Sequence, residues 1–256
     1  QLAARAASLA PNDPQVLAAI GWDAFEYSGD LELAADQLAK AVELAPSDVE
    51  VLAVAAAFGE RIGAYDVVLA LRQRQLSVDP RCFGCLGPLT RAYMNVDRFD
   101  DALRTWEEYS RLVPGQRYWT KGMLHVLRGE PAEALAVFNR EDVLNDYSRY
   151  VGRAIALHEL GRPDEARAAL ARLVDNFGDE NPTGVAAALS WMGDYDAAFE
   201  WLHRALEQYG PSGIIVAMNH PEWRKLRAHS RWPEIAAEIG LDPAHVAALD
   251  FDPKIP

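Results

Sequence analysis

Apolar and small residues recur along the chain at helical spacing, in pairs of segments that are separated by a tight turn. The clearest case is DRFDDALRTWEEY (97–109), where Phe99, Ala102 and Trp106 follow Asp97 by two, five and nine positions. This spacing places the three side chains on one face of a helix. The pattern therefore predicts a helical hairpin whose turn lies at Asp97.

The same pattern occurs six times in the chain. The turn position reads Gly29, Gly63, Asp97, Gly129, Gly161 and Gly193, at intervals of 34, 34, 32, 32 and 32 residues. Five positions later the sequence has Ala34, Val68, Ala102, Ala134, Ala166 and Ala198. A repeat of this length is typical of solenoids, in which each helical hairpin buries its apolar face against its neighbours. We therefore expect an all-α fold of about six hairpins.

Three places depart from the repeat. Seven residues before the turn, where two helices approach closely, five repeats have a small residue and the first has Trp22. In the second repeat, Arg72 and Gln75 occupy positions that are expected to be apolar. In the fourth, NREDVLND (139–146) replaces the usual helix end. We expect the local packing to differ at these three places.

Proline and glycine mark the predicted boundaries, because proline cannot continue a helix. Residues 1–14 are predicted to be the second helix of a truncated repeat, which would leave an apolar face for upstream residues or another chain. A helical cap is expected at 211–241 and a loose tail at 242–256. The six repeats are predicted at 15–46, 47–80, 81–114, 115–145, 146–178 and 179–210.

The hairpin resembles the tetratricopeptide repeat, most specifically in the third unit, through Tyr93, Phe99, Ala102 and the terminal Pro114. The resemblance covers roughly residues 1–209. It implies a right-handed α-α superhelix whose first helices line a concave groove for protein partners. The resemblance further implies a groove that contains Asp23, Tyr27, Arg61, Arg91, Asn95, Trp119, Met123 and His158.

The character of these groove residues changes along the chain. The N-terminal part has mixed charge, whereas Trp119 to Ile155 form an apolar and aromatic stretch. Such a groove suits a peptide or helix with apolar anchors beside a few charged residues. The chaperone-type carboxylate clamp of the family is disfavoured. Its Lys and Asn positions hold Ala19, Asp23, Ala53, Ala57, Gly87 and Arg91.

The end of the chain suggests a narrower resemblance. GDYDAAFEWLHRAL (193–206), together with HPEWRKLRAHSRWPEIAAEIGL (220–241), resembles the C-terminal end of bacterial multidomain regulators. These join tetratricopeptide repeats to a winged helix, an adenylate cyclase or a kinase. The resemblance implies that the segment after the last repeat folds back as a cap. The pattern predicts Trp223 and Trp232 inside and the basic residues on the wet face.

Composition excludes several functions. With 25 basic and 38 acidic residues the net charge is −13, so we expect no direct binding of nucleic acid. No uncharged apolar run is long enough to span a membrane. The C-x-x-C pair Cys82 and Cys85 has no second ligand pair, which disfavours a metal site. We interpret the pair as ordinary helix-start residues, although pairing in an oxidising compartment stays open.

No catalytic motif is present, and the six histidines lie in separate segments. We therefore predict a non-catalytic interaction or sensing module without a cofactor, located in the cytoplasm or in the periplasmic part of a membrane-anchored regulator. Two alternatives remain. One is an enzyme or small-molecule-binding protein with a pocket near Trp119, His125 and His158. The other is a scaffold that self-associates through its N-terminal face.

Overall fold

The computed structural model describes residues 10–114, 118–140, 145–218 and 220–255. Within these ranges the chain is helical, has no strand, and forms six hairpins followed by short helices. The all-α fold of helical hairpins is thereby confirmed. Most of the predicted truncated helix at 1–14 lies outside the described residues, as does the centre of the irregular segment at 139–146.

The hairpins pair a first helix with a second helix. They are α1 (Pro14–Asp23) with α2 (Leu31–Leu44), α3 (Val49–Ile62) with α4 (Tyr65–Val78), α5 (Phe83–Asn95) with α6 (Phe99–Leu112), α7 (Tyr118–Leu127) with α8 (Pro131–Phe138), α9 (Asp146–Glu159) with α10 (Pro163–Phe177), and α11 (Pro182–Met192) with α12 (Tyr195–Met218). Gly210, with φ 69°, breaks α12 in two. A 3₁₀ helix (Pro221–Trp223) follows, then α13 (Arg224–Arg227), α14 (Trp232–Glu238) and α15 (Pro243–Ala248).

The chain divides into two compact units. Unit 1 comprises Gln1–Ala92 together with Pro233–Pro256, and unit 2 comprises Tyr93–Trp232. The segment after the last repeat is therefore shared: residues up to Trp232 belong to unit 2 and the remainder to unit 1. Each unit has its own core of stacked helices.

The predicted turn residues adopt the left-handed backbone conformation. All six turn positions have positive φ, and Asp97, at 60°, is the one that is not glycine. In five of these hairpins the next residue donates its backbone N–H to a carbonyl five positions earlier, as in the bond from Arg98 to Tyr93 and the bond from Arg162 to Leu157, and in the first hairpin Asp30 donates to Ala24, six positions earlier. This hydrogen bond closes the end of a helix and requires the left-handed residue. The turn prediction is confirmed.

The departure at Trp22 has a structural cause. A π-helix (Ala24–Ser28) follows α1 and inserts one extra residue before the turn. The residue at the close approach is therefore Gly21, where an added Cβ would lie 2.7 Å from the Leu38 side chain. Trp22 is rotated to one side and contacts Phe25, with ring centroids 5.7 Å apart.

A single aromatic ring fills the centre of the fourth and fifth repeats. Phe138, at the end of α8, is fully buried. A Cβ placed on Gly122 or on Gly152 would come within 2.3 Å of its ring. Two glycines, one on α7 and one on α9, therefore create the space that Phe138 occupies.

The C-terminal tail is ordered where it is described, contrary to the expected loose tail. Asp242 caps α15 through the backbone N–H groups of Ala244 and His245. Phe251 is buried in unit 1 and meets Phe58 edge-on, with ring centroids 5.0 Å apart. The apolar contact of Phe251 explains why the tail packs.

Cys82 and Cys85 form a disulfide, with Cα atoms 5.4 Å apart. This differs from our interpretation of the pair as ordinary helix-start residues. Cys82 directly precedes α5 and Cys85 lies in its first turn, and the backbone N–H of Cys85 donates to the Cys82 carbonyl, so the turn brings the two residues to a distance that a disulfide can span. In the described part of the chain, no helix has the length and apolarity needed to cross a membrane.

Candidate functional site

In unit 1, charged side chains gather at the C-terminal end of the first helix α3. Glu60 accepts a hydrogen bond from Nη2 of Arg72 at 2.9 Å and lies 3.5 Å from Nη2 of Arg91. Arg72 also donates to Gln75, whose amide donates to the Val49 carbonyl. Arg72 and Gln75, the polar departures in the second repeat, are therefore buried but largely satisfied by hydrogen bonds.

Arg61 is next to this cluster and is less well satisfied. Its Nη1 atom is buried and has no hydrogen-bond partner in the part of the chain that the structure describes. Burial lowers the pKa of its guanidinium, while the charges of Glu26 and Glu60 raise it and that of Arg91 lowers it. A partly buried guanidinium with an unused donor is a candidate contact for an anionic group.

The other two predicted groove residues of unit 1 differ in exposure. Tyr27 belongs to the π-helix and is 83% exposed, so its ring lies on the surface. Asp23 is partly buried at the end of α1. Together with Arg61 and Arg91, both lie on first helices or their direct extension.

In unit 2, the chain's own segment 220–227 covers the C-terminal ends of the first helices. Arg224 pairs with Asp97 at 2.7 Å, and Lys225 pairs with Glu159 at 2.8 Å. Arg227 donates to the predicted groove residue Asn95 at 3.0 Å. These cations lie at the partly exposed edge of the segment, where acidic or amide side chains of the repeats pair with them.

The two tryptophans that were predicted to lie inside differ in burial. Trp223 is buried, with 2% of its surface exposed, whereas Trp232 is only partly buried. The indole N–H of Trp191 donates to the carbonyl of Glu222. The 3₁₀ helix is therefore attached to α11 through its backbone as well as through Trp223.

A cavity of about 230 Å³, partly open to solvent, lies where this segment meets three first helices. Trp119 of α7, Tyr147 of α9 and Gly184 of α11 contribute to its wall, and His220 and Glu222 close it from the other side. All of these residues belong to unit 2. The cavity thus combines aromatic rings with one carboxylate.

Glu222 has unusual surroundings for a carboxylate. The residue is 8% exposed, and its Oε2 atom is buried without a hydrogen-bond partner among the described residues. Burial alone would raise the pKa of the Glu222 carboxyl, but His220 and Trp119 favour the charged form, and the pKa is lowered overall. The Nδ1 atom of His220 lies 3.3 Å from Oε1. Glu222 is therefore a buried anion with an unfilled position for a donor.

Tyr147 provides a neutral aromatic wall. Burial, with the nearby charge of Glu222, raises the pKa of Tyr147 to about 12, although hydrogen bonds with Thr183 and the Gly184 backbone oppose the shift. A Cβ on Gly184 would lie 2.0 Å from the Tyr147 hydroxyl oxygen. The missing side chain at Gly184 therefore lets the Tyr147 ring lie against α11.

The remaining predicted residues of unit 2 do not line this cavity. Met123 is buried, with 1% exposed, within the helix packing. His125 hydrogen-bonds to Glu130 at 2.8 Å, and His158 is partly buried near the end of α9. Of the three residues named for a pocket, only Trp119 is in its wall.

Our sequence reasoning missed Tyr147, His220 and Glu222. The signal that could have revealed Glu222 is its position between Pro221 and Trp223, where a capping segment buries its apolar residues. No cluster of three or more metal-ligating side chains occurs among the residues that the structure describes.

Two segments, residues 116–140 and 149–172, match the family model of the tetratricopeptide repeat. They correspond to the hairpins α7–α8 and α9–α10, whose first helices contribute Trp119 and Tyr147 to the cavity. No curated protein matches the chain significantly. The two matches support the tetratricopeptide repeat family, whose members generally mediate protein–protein interaction.

Proposed function

We propose that this chain is a non-catalytic binding module that takes up a protein or peptide segment on the first-helix side of its hairpins. The stacked hairpins and the two family matches support this role. The single observation that carries it is Arg61, a first-helix residue with a buried donor that no group among the described residues uses. A carboxylate of a partner would supply the missing acceptor.

The proposal extends to the context of the chain. Because residues 193–206 and 220–241 resemble the end of bacterial multidomain regulators, we place the module in the cytoplasmic part of such a regulator. A winged helix, cyclase or kinase encoded upstream of Gln1 would support this context. A secretion signal directly upstream would contradict it.

The binding role is tested by selecting peptides from a displayed random library on the immobilised full chain. We expect the selected peptides to contain an acidic residue. Arg61→Gln should lower their affinity for the chain about tenfold, because one charge-assisted hydrogen bond is lost. Fluorescence anisotropy with a labelled peptide measures the affinity.

Arg167→Gln is the matched control, since Arg167 pairs with Asp164 on the exposed surface of the second helix α10. It removes the same charge and should leave the affinity unchanged. A selection that yields no binding peptide would contradict the proposal. If both arginine variants lose the same affinity for the peptide, the loss is caused by the change in net charge and not by the Arg61 contact.

The cavity in unit 2 favours a second candidate function, the binding of a small molecule. Its wall holds aromatic side chains and a buried carboxylate, a composition typical of ligand sites. The third possibility, self-association through the N-terminal face, concerns residues 1–9, which lie outside the described residues.

A further inference from the structure

The cavity of unit 2 has the size of a single chemical group. Its volume, about 230 Å³, is below the range of roughly 300–1,000 Å³ that is common for pockets that hold drug-sized ligands. It is partly open, so an occupant can extend outward into solvent or continue into a longer molecule. A side-chain-sized group is therefore a better fit than a nucleotide or a large cofactor.

The wall favours a positive charge. Trp119, Tyr147 and Trp223 present aromatic surface, and aromatic faces attract cations. Glu222 adds a carboxylate whose Oε2 atom lacks a donor within the described ranges. A buried acceptor without a partner is unfavourable, and a ligand N–H that reaches it would remove that cost.

The Trp119 indole lies within reach of the Glu222 carboxylate and favours its charged form, but no group among the described residues donates a hydrogen bond to Oε2. Tyr147, with its raised pKa, is a neutral phenol at physiological pH. His220 is the ionisable side chain that faces Glu222, and its Nδ1 atom lies on the side of Oε1, not Oε2. Glu222 Oε2 is therefore a buried acceptor without a donor among the described residues, and the lining residues include no lysine or arginine.

We propose that this cavity binds an organic cation with an apolar stem, with its ammonium group beside Glu222 and its stem against Trp119 and Tyr147. The cation is a lysine-type side chain of a bound segment or a free amine, which present the same chemistry. In the first case the inference rests on the proposed function and specifies part of the partner.

The test uses the full chain with three probes of similar shape: benzylammonium, benzyl alcohol and benzoate. Saturation-transfer NMR and the fluorescence of the wall tryptophans measure binding. We expect saturable binding of benzylammonium, at least tenfold weaker binding of benzyl alcohol, and no binding of benzoate. Equal binding of the three probes, or no binding of benzylammonium, would overturn the inference.

Two variants locate the site. Glu222→Gln keeps the side-chain shape and should remove the preference for benzylammonium over benzyl alcohol, whereas Glu133→Gln, an exposed carboxylate on α8, should keep it. Ser148→Phe places a large ring at the partly buried cavity wall and should abolish binding of both probes. Persistence of the preference in Glu222→Gln would overturn the assignment, and so would unchanged binding in Ser148→Phe. If Glu222→Gln melts at a lower temperature, Ser148→Phe and the probe series decide.

The source of the cation is distinguished with the peptides selected on the chain. If the cation is a side chain of the partner, replacing a lysine of the peptide with norleucine should lower the peptide's affinity at least tenfold. Benzylammonium should then also compete with the peptide for the chain. Benzylammonium that binds without competing indicates a free amine. If the chain binds the selected peptides but does not bind benzylammonium, the proposed function stands and only the cation site is refuted.

Discussion

Replacing Phe138 with alanine is expected to lower the free energy of unfolding by about 3–5 kcal/mol. The ring is fully buried and lies within the space left by Gly122 and Gly152. Because α7 and α9 both approach this ring at a glycine, neither has a side chain there that could fill the cavity. Trp119, whose ring centroid is 5.3 Å from that of Phe138, loses a neighbour as well.

Urea denaturation, followed by tryptophan fluorescence and circular dichroism, measures this loss. Leu112→Ala is the control, because it removes a similar apolar group from a side chain that is 51% exposed. We expect the control to change the free energy by less than about 0.5 kcal/mol. A Phe138→Ala variant as stable as this control would show that the ring does not hold the two repeats together.

Removing the carboxylate of Glu60 is expected to be nearly as damaging as losing Phe138. The Arg72 side chain is 8% exposed, and Glu60→Leu removes the oxygen that accepts a hydrogen bond from its Nη2 atom. The variant also removes the negative charge that lies 3.5 Å from Nη2 of Arg91. Breaking a buried ion pair from one side costs about 3–5 kcal/mol. The expected result is therefore a large fall in the urea midpoint.

The double variant Glu60→Leu/Arg72→Leu separates charge burial from packing. Two apolar residues in place of a buried pair are often neutral, so we expect recovery to within about 1 kcal/mol of the unsubstituted chain. The Nε atom of Arg72 already has no partner among the residues that the structure describes, which favours recovery. Glu165→Leu, which breaks an exposed pair with Arg162, should cost no more than about 1 kcal/mol. A double variant as unstable as Glu60→Leu would contradict this explanation.

The hairpins could be predicted because their turns place a strong demand on sequence. A left-handed residue is required at each turn, and glycine meets that requirement at five of six positions. Asp97 is the exception, and Phe99 and Ala102 after it keep the spacing that identifies the turn. Because the same local backbone geometry recurs in every hairpin, the periodic pattern of the sequence reveals it.

Features that depend on one extra residue or on one buried pair were not predictable in this way. The π-helix after α1 shifts the close contact from Trp22 to Gly21, and no periodic pattern signals such an insertion in advance. Arg72 was visible as a departure, but its partner Glu60 lies 12 positions earlier, on the other helix of the hairpin. The sequence shows that Arg72 departs from the apolar pattern, and the structure shows that Glu60 supplies its ion pair.

The cavity was predictable only in part. Trp119 was named for a pocket, but Tyr147 and Glu222 lie 75 positions apart in the sequence and meet only through the folding back of segment 220–223. The pairing of the segment's cations with side chains of the repeats was not foreseen for the same reason. The positions of Asp97, Glu159 and Asn95 relative to that segment are a tertiary property.

Photo-crosslinking of a selected peptide tests the central claim, binding on the first-helix side, most directly. A peptide with a benzophenone side chain is bound to the full chain, irradiated, and its attachment sites are mapped by mass spectrometry. The account predicts attachment to the first helices, such as α3, α9 and α11, or to segment 220–227. Attachment confined to the second helices, such as α4, α8 and α10, would contradict it.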